Sequence, residues 1–73
     1  MKKYIVNFYE VVEGGWKLLN YFTIDESEVL STVKGIESRG FRLTTSNIFV
    51  KTFTSDFDEI HLCYAFIEIP SNL

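Results

Sequence analysis

The chain has 73 residues, is 47% hydrophobic and 16% aromatic, and sets seven basic side chains against ten acidic ones for a net charge of −3. That is too apolar for a disordered chain and too short for more than one domain. No basic stripe is present to neutralise phosphates, so direct nucleic-acid binding is not expected, and the carboxylates are too few and scattered to mimic DNA.

A domain this short buries only about 60% of its unfolded surface, and such cores are usually supplemented by disulfides, a metal or a second copy of the chain. The single cysteine cannot form an internal bridge and gives no sign of an oxidising compartment. No apolar run approaches the roughly 20 residues of a spanning helix. The opening MKKYIVNFYEVVEGG begins basic and then apolar, as a signal peptide does, but Asn7 and Glu10 interrupt it. The expectation is a soluble, cytoplasmic protein with no membrane association.

Residues 3–12 (KYIVNFYEVV) and 16–24 (WKLLNYFTI) are rich in β-branched and aromatic side chains and flank EGG, which predicts a β-hairpin. A three-residue loop with Gly15 in the left-handed region would pair Val12 with Trp16, and so even positions with even. The core face is then Tyr4, Val6, Phe8 and Val12 against Trp16, Leu18, Phe22 and Ile24. Residues 25–40 predict the one helix. Asp25 is its N-cap, Glu28 completes a capping box, and Val29, Leu30, Val33 and Ile36 lie along one stripe. Gly40 ends it, while Gly35 in its interior suggests a close neighbour.

Residues 41–53 predict a strand in which TTSN is either a bulge or a dividing turn. Residues 54–59 are a loop, and IHLCYAFIEI (60–69) is the last strand, stopped by Pro70. The fold class is α+β: ββαββ, a four-stranded, mainly antiparallel sheet with one helix packed on one face.

Neither side of the last strand is polar. One side carries Ile60, Leu62, Tyr64 and Phe66, and the other His61, Cys63, Ala65, Ile67 and Ile69. One helix covers one face of a sheet, so the opposite face is left apolar. Ile5, Tyr9, Val11, Leu19, Tyr21 and Ile67 are the residues expected there, as a dimer or partner interface.

The chemistry-bearing residues point elsewhere than catalysis. His61 and Cys63 project to the same side of a strand, but two further ligands for a metal would have to be carboxylates, and no metal is expected. A mid-strand cysteine among apolar neighbours is a small buried hydrophobe, not an activated nucleophile. SDFDE lacks the glycine and the closing glutamate of an EF-hand, since His61 and Ile67 occupy those positions. Asp56, Phe57, Asp58 and Glu59 therefore read as a solvated turn, or as an acidic contact loop anchored by Phe57. EGG lacks the Gly–Lys–Ser/Thr of a phosphate loop, and TTSN has no base near it.

The leading expectation is a non-enzymatic interaction protein, an inhibitor or regulator, that binds itself, a larger protein or both. Its small, acidic, aromatic-rich build is that of compact inhibitors encoded by phages and mobile elements, a likeness of composition alone. The alternative is a nucleotide-like ligand held between Tyr9, Tyr21 and His61 at a dimer interface. A minimal enzyme using His61 or Cys63 ranks last, and no cofactor is expected.

Overall fold

The computed structural model describes residues 2–45, 47–54 and 59–70, with only the backbone for Phe53. The aromatic and β-branched runs form β1 (Lys3–Val12) and β2 (Gly15–Asp25), joined by a two-residue turn at Glu13 and Gly14. Gly14 has φ of 88°, a conformation that glycine adopts without steric cost. A helix follows, as a short 3-10 turn (Glu26–Glu28) continuing into α1 (Val29–Ser38). Then come β3 (Arg42–Thr45), β4 (Ile48–Thr54) and β5 (Glu59–Ile69). The α+β class and the antiparallel sheet agree with the sequence expectation. The sheet has five strands, however, in the order β2-β1-β5-β4-β3, so ββαββ is corrected to ββαβββ. Residues 41–53 are divided between Thr45, which ends β3, and Ile48, which opens β4; Thr and Asn bond readily to nearby backbone, as the Thr44 hydroxyl does to the Ile48 carbonyl at 3.2 Å.

Asp25 and Glu28 form the capping box read from the sequence, with the Asp25 amide donating to Glu28 Oε1 at 3.4 Å. At the other end, Gly40 takes φ of 92°. Its amide donates to the Glu37 carbonyl at 2.9 Å, and Lys51 Nζ on β4 donates to the Arg39 carbonyl at 2.6 Å. A cation at a helix C-terminus is favoured by the dipole as well as by the hydrogen bond. The helix is thus tied to β2 at its start and to β4 at its end.

Ile36 is buried, and Val29 and Val33 pack half-buried against a core of Val6, Ile24, Phe41, Phe49 and Phe66. Leu30 was expected on this stripe but is 66% exposed. One residue on from Val29 it has turned about 100° around the axis, off the inward face. Gly35 has no close neighbour either, since a Cβ there would meet nothing within 4 Å. Gly35→Ala should therefore stabilise the protein by about 0.5–1 kcal/mol, the helix-propensity difference, read as a higher urea midpoint with an unchanged slope.

The β1–β2 register departs from the expected pairing. Val12 faces Gly15 and Val11 faces Trp16, because the turn holds two residues and not three. Between Phe8 and Tyr9 the register shifts, with Leu19 as the extra residue, and beyond it Val6 faces Phe22 and Tyr4 faces Ile24. Even–even pairing therefore holds only in the half of the hairpin far from the turn. In the near half, Trp16 and Leu18 cross to the face opposite the helix.

Candidate functional site

The helix-free face can be read from the ladders. Ile5, Tyr9 and Val11 of β1 stand opposite Ile67, Cys63 and His61 of β5. Ala65, Cys63 and His61 stand in turn opposite Ile48, Val50 and Thr52 of β4. From β2 the face receives Trp16 and Leu18 near the turn and Tyr21 and Thr23 beyond the bulge. No described helix covers this side.

Five of the six residues expected there, Ile5, Tyr9, Val11, Tyr21 and Ile67, share this face. Leu19 is the bulged residue, 44% exposed and without a Cα partner on β1. Asp56, Phe57 and Asp58 of the acidic loop lie outside the described residues, while Glu59 opens β5. Trp16 and Leu18 were placed in the core by sequence reasoning. A two-residue Glu-Gly loop, equally compatible with EGG, would have revealed them.

Exposure decides how much of the face is available. Tyr21 is 64% exposed, Trp16 51%, Leu18 49% and Ile67 45%. Tyr9 and Trp16 meet edge to face with ring centroids 5.2 Å apart, which holds both rings in place. Polar groups inside the patch are few. Asn7 Nδ2 donates to the Tyr9 hydroxyl at 3.0 Å. At one end Lys3 pairs with Asp25 at 3.9 Å. At the other, His61 Nε2 lies 2.9 Å from Glu59 and Nδ1 lies 2.9 Å from Thr52 Oγ1. The layout is an apolar centre with a polar rim, as in stable interfaces.

His61 is thus engaged through both ring nitrogens on an open sheet surface. Two grooves are present, one on the helix side and one at the β3–β4 edge that reaches Val50 and Thr52 of this face. One of about 250 Å³ is floored by Phe49 and Phe66 under Val29 and Val33. The other, about 360 Å³, runs beside Arg42, Val50 and Lys51. Neither is walled by His61 or Cys63.

Cys63 is fully buried, with no exposed surface, between Tyr9 and Val50 on neighbouring strands. Desolvation pushes its thiol above the ordinary thiol range. The native thiol should therefore react with thiol reagents only as fast as the protein opens, and Cys63→Ala should cost about 1 kcal/mol of packing. A pH effect accompanies it. Above the ordinary thiol pKa, about 8.5, the unfolded chain loses a proton that the folded one retains, so stability falls as pH rises. Urea melts across that range should show the decline in the wild type and a shallower one in Cys63→Ala.

Among the described residues no cluster of three or more His, Cys, Asp or Glu could hold a metal ion, and no helix is long and apolar enough to cross a membrane. Comparison with protein-family models, with curated proteins and with solved structures gives no match in any of the three.

Proposed function

We propose that the protein is a non-enzymatic interaction module, an inhibitor or regulator, whose helix-free face closes against a second copy of itself. The observation that carries this reading is the uncovered apolar patch of Trp16, Leu18, Tyr21 and Ile67 on that face. Its extent fits the occupant. Ten residues of β1 run about 34 Å, and five strands side by side span about 24 Å. The face is therefore of the order of 800 Å² before the shortness of β3 is allowed for, close to what each partner of a stable complex buries.

A second copy also suits the chemistry. The centre of the patch has no charged side chain, so two copies meet without burying an unpaired charge. The charged groups stand at its margins, where a rim stays wet: Lys3 and Asp25 at one end, Glu59 and His61 at the other, and Arg42 on the β3 edge. A buried thiol and an imidazole held at both nitrogens favour binding over catalysis. The test is sedimentation of the wild type and of Ile67→Glu from micromolar to millimolar concentration. A dimer that the substitution dissolves supports the reading. A wild type that remains monomeric throughout refutes self-association, and a larger protein becomes the occupant to look for.

A further inference from the structure

The two edges of the sheet are unequal. β3 is four residues long, whereas β2 is eleven and is exposed at each of its first nine positions. A long open edge offers backbone donors and acceptors to any other strand. The bulge at Leu19 interrupts this edge and the turn at Glu26 ends it, so its regular run is residues 20–25.

The direction of each amide in that run follows from one bond. The Glu26 amide donates to the Lys2 carbonyl at 2.9 Å. Antiparallel alternation then directs the amides of Asn20, Phe22 and Ile24 toward β1, and those of Tyr21, Thr23 and Asp25 toward the open edge. Two of these three outward donors are closed by side chains. The Tyr21 amide donates to Asn20 Oδ1 at 2.9 Å, and the Asp25 amide to Glu28 Oε1 at 3.4 Å.

We propose that Asn20 guards the edge of β2, holding it shut against β2 of a second copy in a register centred on Thr23. That occupant follows from the self-complementarity of the run. About a two-fold axis at Thr23, each Thr23 faces its equivalent, and Phe22 faces Ile24 of the other copy twice. Thr–Thr and aromatic–β-branched pairs are favourable across antiparallel strands. Tyr21 stands opposite Asp25, so no like charges meet. Phe22, 40% exposed at this edge, gains a neighbour. Pairing requires the Tyr21 amide to leave Asn20 Oδ1 and the Asp25 amide to leave Glu28 Oε1; the Asn20 bond, at 2.9 Å against 3.4 Å, is the tighter of the two, and that competition is what keeps the edge closed. This edge is separate from the helix-free face and does not depend on it.

The test uses full-length Ile67→Glu as background, so that the face makes no contribution. With Asn20→Ala added, or Asn20→Val as a better strand former, the protein should sediment as a dimer at millimolar concentration. Exchange of the Thr23 amide should slow by about tenfold or more relative to the background. Asn20→Asp keeps the acceptor and should remain monomeric. Adding Thr23→Pro to the Ala variant removes the central outward donor, a change that an edge strand tolerates, and should restore the monomer. The proposal is overturned if both the Ala and Val variants stay monomeric with unchanged Thr23 exchange, or if their dimer survives Thr23→Pro. It is equally overturned if the Ile67→Glu background already protects the Thr23 amide, because the edge would then be open with Asn20 in place.

Discussion

Replacing Ile67 with glutamate should raise the dissociation constant of the proposed homodimer by about a thousandfold while leaving the fold intact. Ile67 lies on β5, the middle strand, opposite Ile5 and on the uncovered face. It is 45% exposed, so about half of the 1.5–3 kcal/mol of burying such a side chain remains to be gained on association. A two-fold interface counts each change twice. Two copies then lose about 1.5–3 kcal/mol of apolar contact, and two carboxylates without partners add at least as much again. A total near 4 kcal/mol corresponds to that thousandfold change. Leu30→Glu is the control, being more exposed than Ile67 but on the helix, away from the face. It should leave the sedimentation unchanged. Equal effects of the two substitutions would mean that added charge alone, and not the face, governs association.

The largest loss of stability should come from Phe66→Ala, at about 3–5 kcal/mol. Phe66 is buried opposite Val6 on the helix side, with its ring 5.7 Å from that of Phe49. A chain of 73 residues has roughly 4–11 kcal/mol of stability in total, so the variant loses between about a quarter and all of it. Phe22→Ala removes the same atoms from a 40% exposed edge position and should cost much less, about 1–2 kcal/mol. Urea titrations are best made in the Ile67→Glu background, where the proposed dimer, and with it any dependence of stability on protomer concentration, should be absent. A Phe66→Ala loss no greater than that of Phe22→Ala would place the core elsewhere.

What the sequence made legible follows the strength of its local signals. The helix was plain because Asp25, Glu28 and Gly40 mark its limits with side chains whose roles are mechanical. Both long hairpin strands and the last strand were plain because β-branched and aromatic residues are concentrated there and turn residues or proline bound them. The division of 41–53 was visible only as two options, since TTSN suits a bulge and a turn equally well.

The face was legible as a surplus: an apolar last strand on both sides and only one helix to cover it. Its membership near the turn was not. Loop length sets hairpin register, and EGG is compatible with both two and three residues. The adjacent Leu18 and Leu19 then hide the bulge, because alternation gives no contrast where neighbours are both apolar. A change of one residue in the turn moved Trp16 and Leu18 across the sheet.

The position of β5 governs how the chain can fold. It is the last strand in sequence, yet it lies between β1 and β4 and supplies every ladder that joins the two hairpins. Until residues 59–69 are free to act, β1–β2 and β3–β4 are separate ribbons with no native hydrogen bond between strands of one and strands of the other. An isolated two-stranded ribbon is marginal in water, so neither half is a stable stopping point. Non-local pairing of this kind slows folding and leaves apolar edges open in the meantime. A ribosome stalled before Glu59 would therefore hold two sticky ribbons and no domain, and release of one strand would complete the sheet in a single step.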